Sequence, residues 1–115
     1  MARLWHATAY SARGLHRAWA EPAFRTEAVV AILAVPLALW LGRSWLESAL
    51  LIASLVLLLV VELLNTAIEA TVDRVGPEWH ALSGQAKDLG SAAVLLCVVL
   101  AAGLWLTVLV RNWLV

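Results

Sequence analysis

Val60–Asp73, VVELLNTAIEATVD, is the stretch that decides how this chain is read. It continues without a break residue from Ser48–Val61, SALLIASLVLLLVV, an apolar run of the kind that enters a membrane as a helix. At about 100° per residue, Glu62, Asn65, Glu69 and Asp73 fall at roughly 0°, 300°, 340° and 20°, a single stripe along ~16 Å of helix axis. A charge at the bilayer centre costs ~3 kcal/mol or more, so such residues usually face a bundle interior and mark a functional site. Carboxylates aligned this closely also repel, unless a cation or a proton is shared among them. The stripe reads as a metal or proton site.

Composition agrees with a membrane setting. Of the 115 residues, 63% are hydrophobic and 14% charged, with zero net charge. Soluble domains carry roughly a quarter charged residues, and one small core cannot hide this apolar excess. No basic tail favours nucleic acid. The single cysteine, Cys97, lies among aliphatics and reads as a buried, inert thiol. No apolar run precedes Ala28, so no cleavable signal peptide is expected.

Outward from the central stretch, residues 2–20 read as an amphipathic helix in the headgroup plane. Leu4, Trp5, Thr8, Ala12, Leu15 and Trp19 form one stripe; Arg3, His6, Tyr10, Arg13 and Arg17 form the other. Glu21-Pro22 ends it. Three spans are expected, at 22–41, 46–72 and 89–110, all in one domain. Arg25 and Glu27 belong to the interfacial end of the first span, and Pro36 is placed to kink it. Trp40, Trp45 and Trp113 suit interfacial positions. Glu47, with no neighbouring stripe, reads as solvated, and Glu78–Asp88, EWHALSGQAKD, as a polar connection. The small residues Gly90, Ser91, Ala92, Ala93, Ala101, Ala102 and Gly103 permit close packing of the third span. The N-terminal segment carries Arg3, Arg13, Arg17 and Arg25, and the second connection Arg74 and Lys87. Positive-inside then places both in the cytoplasm.

The polar groups of that half are mostly carboxylates plus one amide. These are hard oxygen ligands, suited to Mg²⁺ held together with substrate phosphates. Lys87, the only lysine, is able to hold a phosphate or to pair with Asp88. An unpaired carboxylate deep in a bilayer gains basicity by desolvation, and at Glu62 that would fit a general base for an alcohol. A polar seam that only fixes helix register is the plainer alternative. No phosphate loop, GxGxxG or kinase catalytic-loop pattern is present.

VELLNTAIEATVDRVGPEWHALSGQAKDLGSAAV, Val61–Val94, closely resembles the prokaryotic diacylglycerol kinase family of small integral membrane kinases. AEPAFRTE, Ala20–Glu27, resembles that family's junction between surface helix and first span, and AYSARGL, Ala9–Leu15, its amphipathic-helix motif. The resemblance implies a homotrimer with active sites at subunit boundaries, in the bacterial inner membrane, transferring the ATP γ-phosphate to a lipid hydroxyl with Mg²⁺. Glu62 matches the catalytic base, and Glu21 and Glu69 the metal-holding carboxylates. Asn65, Lys87 and Asp88 match further essential polar residues. Nucleotide contacts would fall to Arg3, Tyr10, Glu21, Glu69, Asp73, Lys87 and Asp88. Contacts to the lipid substrate would fall to Ser11, Arg25, Glu27, Glu62 and Ser91. Two departures stand out: Pro22 where an alanine is usual, and Ala81 where an acid commonly follows the histidine.

A sister branch of that family phosphorylates undecaprenol; LSG and GSAA in this chain favour the diacylglycerol branch. The alternative of another class is a non-enzymatic ion- or proton-conducting helix bundle. It is disfavoured because Ser48–Val61 carries no ionisable group to continue a path.

Overall fold

A computed structural model describes residues 2–114, and all of its regular structure is helical: α1 (Ala2–Trp19), α2 (Pro22–Leu41), α3 (Trp45–Val75) and α4 (Ala81–Leu114). Helices α2, α3 and α4 are each long and apolar enough to cross a membrane, at 20, 31 and 34 residues. The central helix α3 packs against both α2 and α4, whereas α2 and α4 touch only marginally.

Each helix boundary has a local cause. Glu21 is extended, and Pro22 follows at the first helical position, where its missing N–H is no loss. Helix α2 continues through Pro36. Ser44 caps α3 by accepting from the Glu47 backbone N–H at 3.2 Å, while Glu47 Oε1 accepts from the Arg43 N–H at 3.1 Å. This is a capping box shifted by one residue. Gly76, at φ 153°, closes α3 in a conformation that side chains disfavour, and Pro77 prevents continuation.

Helix α4 begins eight residues before the expected span. The stretch 78–88 is therefore not a connection throughout, because everything from Ala81 onward is helix. Leu82, Ala86 and Leu89 already recur at helical spacing, and His80 Nδ1 accepts from the Leu82 N–H at 3.0 Å to start the first turn. Likewise α3 runs to Val75 rather than ending at 72.

Two apolar clusters hold the helices together. Ala38, Leu41, Leu51 and Val108 join α2, α3 and α4 at one end, with Trp105 against them. Ala18, Phe24 and Ala28 meet Leu59 and Leu63 at the other, which docks α1 onto the spans. In hydrocarbon a polar group needs an internal partner. Leu51 O accepts from both Ser54 Oγ (2.7 Å) and Trp105 Nε1 (3.2 Å), and Ala38 O accepts from Ser48 Oγ at 2.8 Å.

The far end carries a polar clamp. Glu47 is not solvated: its Oε2 pairs with Arg111 Nη1 at 2.7 Å, and Asn112 Nδ2 donates to Leu41 O at 3.1 Å. The start of α3 and the ends of α2 and α4 are tied by these contacts. Leu33, Leu96 and Leu106 remain exposed, as befits surfaces for lipid tails or neighbouring helices.

Candidate active site

Depth along α3 sorts the polar residues. Trp40, Trp45 and Trp113 gather at the far end, as interfacial residues do. At 1.5 Å per residue, Glu62 stands ~26 Å along the axis from Trp45, Glu69 ~36 Å and Asp73 ~42 Å. Against a hydrocarbon core ~30 Å thick that starts at Trp45, Glu62 would fall just inside the near boundary and the other two beyond it. Burial follows the same order: Glu62 and Asn65 are half-buried, Glu69 and Asp73 exposed.

Helices α2 and α4 supply partners to this stripe. Glu27 of α2 brings its carboxyl against that of Glu62, and Glu27 Oε2 is buried with no hydrogen-bond donor among the described residues. Two carboxyls in this arrangement require a shared proton or cation. One turn along, Asn65 Nδ2 donates to Glu69 Oε1 at 3.1 Å, and Asn65 Oδ1 is buried without a donor among the described residues. Outermost, Lys87 Nζ of α4 pairs with Asp73 Oδ1 at 3.0 Å. The sequence offered Asp88 as the partner of Lys87; the structure supplies Asp73 instead.

The junction of α1 with α2 contributes less directly. Glu21 occupies the N-cap position of α2, yet its carboxylate makes no cap hydrogen bond and so remains available. Ser11 and Glu21 line a 690 Å³ cavity between α1 and α3, with Leu63, Thr66, Ala67 and Ala70 on the opposite wall. Arg25 is committed to the junction itself. Its Nε donates to Trp19 O at 2.9 Å, and its guanidinium lies 6.0 Å from the Trp19 ring centroid. Tyr10 lies under Arg13, at 4.7 Å. Arg3, Asp88 and Ser91 are exposed.

The donor set is all oxygen, which fits a hard cation. Among the described residues, no three His, Cys, Asp or Glu side chains cluster so as to hold a metal alone. Any metal here would complete its shell with substrate oxygens. One participant escaped the sequence reading, which credited Gly90 only with permitting close packing. A Cβ placed on Gly90 would collide with Asn65 Oδ1, so this position bears directly on the stripe.

Comparison with known proteins gives a consistent picture. The model of the family described as prokaryotic diacylglycerol kinase matches residues 9–109. A protein named diacylglycerol kinase from Escherichia coli (strain K12) is 51% identical over 104 residues, covering 90% of this chain and 85% of the relative. Proteins of the same name from Pseudomonas aeruginosa and Haemophilus influenzae are 46% and 42% identical, covering 93% and 91% of this chain and 88% and 90% of theirs. With its three apolar helices, its amphipathic leader and a match along most of its length, the chain belongs to the prokaryotic diacylglycerol kinase family.

Proposed function

We propose that this chain phosphorylates diacylglycerol to phosphatidic acid, using ATP, at the cytoplasmic face of the bacterial inner membrane. The observation that carries the reading is the order of groups along α3. A paired carboxyl, Glu62 with Glu27, sits at the bilayer margin, and the amide, carboxylates and lysine follow outward into water. A lipid alcohol reaches the margin laterally, while a nucleotide comes from the aqueous side.

Glu62 takes the proton of the lipid hydroxyl. The hydroxyl oxygen bonds to the γ-phosphorus, the bond from that phosphorus to the bridging oxygen breaks, and ADP leaves with the electron pair. Glu21 and Glu69 are the carboxylates that would hold Mg²⁺ with the ATP phosphates; bound there, the ion neutralises phosphate charge. Asn65 orients Glu69. Lys87 exchanges Asp73 for a phosphate oxygen, and Asp88, Arg3 and Tyr10 complete the nucleotide side. Ser11, Ser91 and Glu27 lie toward the lipid headgroup.

Phosphoryl transfer asks chiefly for positioning and charge. The site of a single chain is open on its outer side, where Glu69, Asp73 and Asp88 are exposed. A homotrimer with sites at subunit boundaries would close it. A conducting bundle finds no support, because Ser48 and Ser54 of the far half donate to helix carbonyls.

The test supplies purified protein in mixed micelles with γ-labelled ATP and both lipids. Labelled phosphatidic acid is expected. Label in undecaprenyl phosphate alone would move the chain to the sister activity, and no labelled lipid at all would sink the proposal.

A further inference from the structure

We infer that Gly90 is a positioning residue for nucleotide binding, acting through Asn65; this rests on the functional reading above. Gly90 is buried where α4 crosses α3, and the Asn65 amide lies where its side chain would be. A Cβ there would collide with Asn65 Oδ1 and come within 3.3 Å of Asn65 Cγ, whereas Ile68 Cδ1, at 3.8 Å, would be an ordinary neighbour. The conflict is thus with the amide and with little else.

One hydrogen-bond partner sets the orientation of the amide. Glu69 Oε1 is an acceptor only, so the Nδ2 face of Asn65 must point to it, which leaves Oδ1 directed at α4. Oδ1 is buried and, among the described residues, has no donor, so no described polar group rewards that position. What holds it is the Glu69 contact on one side and the bare backbone of Gly90 on the other. Any side chain at this position displaces the amide and loosens Glu69. The stripe of small residues on α4 is in this respect not uniform: a Cβ on Gly103 of the same helix would meet nothing within 4 Å.

The expected consequence is selective. Gly90→Ala should weaken binding of a non-hydrolysable ATP analogue with Mg²⁺ by about tenfold, the scale of one hydrogen bond to a charged group. The KM for ATP should rise in parallel, with the KM for diacylglycerol unchanged. Gly103→Ala should leave both as they are. The decisive comparison is made in an Asn65→Ala background, where the space is vacant: there Gly90→Ala should cost no further binding. An additive loss in that background, or wild-type affinity in the single variant, overturns the inference. If Gly90→Ala fails to fold, recovery of folding in the double variant supports the collision with Asn65, and its absence refutes it. Should the unaltered chain bind no nucleotide and transfer no phosphate, the functional reading fails instead, which separates the two outcomes.

Discussion

Lys87 Nζ stands 3.0 Å from Asp73 Oδ1, a bridge between α4 and α3 across the Gly76–His80 turn. With side-chain exposures of 47% and 69%, the pair is wet on both sides and contributes ~1 kcal/mol or less. A weak resting contact suits a lysine that must release its partner for a phosphate. Lys87→Met should therefore lower phosphoryl transfer by about 100-fold, with a change in stability below ~1 kcal/mol. Rate assays and chemical denaturation of the same sample check it. A large loss of stability would make the bridge structural.

Glu62 is the group whose loss should be most selective. Glu62→Gln keeps the size of the side chain and can donate to the Glu27 carboxyl, but it accepts no proton. Transfer should fall ~10²–10⁴-fold, with unchanged oligomeric state and nucleotide affinity. Retained turnover would falsify the base assignment.

Glu47 and Arg111 form the opposite case. Their side chains are 31% and 28% exposed, and the 2.7 Å contact is far from every group assigned to chemistry. Glu47→Gln should lower stability, since it leaves a half-buried guanidinium with a weaker partner. The specific activity of folded enzyme should not change. Denaturation with denaturing detergent measures the first and a kinase assay the second; a lowered specific activity would contradict the clamp role.

Arg25 separates a joint from a substrate contact. Its donation to Trp19 O predicts that Arg25→Ala costs about 1 kcal/mol and exposes the α1–α2 junction to protease. A raised KM for the lipid, with unaltered stability and protease resistance, would return Arg25 to substrate binding.

The membrane spans and the stripe on α3 could be read from the sequence because each is a local pattern: long apolar runs, and acids recurring three or four residues apart. Pairings across the chain could not. Glu47 looks solvated because its partner lies 64 residues away, on a helix whose length does not reveal its register. The start of α4 was hidden by Ser83, Gly84 and Gln85, which read as a loop, and by a histidine in the capping position. Gly90 looked like one small residue among several, since only the register of α4 on α3 sets it against Asn65.

The clamp at the far leaflet and the uninterrupted α3 act together as a depth gauge. Glu47 and Arg111 fix where the gauge begins, and Glu62 is a graduation ~22 Å along it. A bilayer of other thickness would carry the glycerol hydroxyl above or below that mark while the carboxyl stays put. Turnover in vesicles of graded acyl length should accordingly peak at one length.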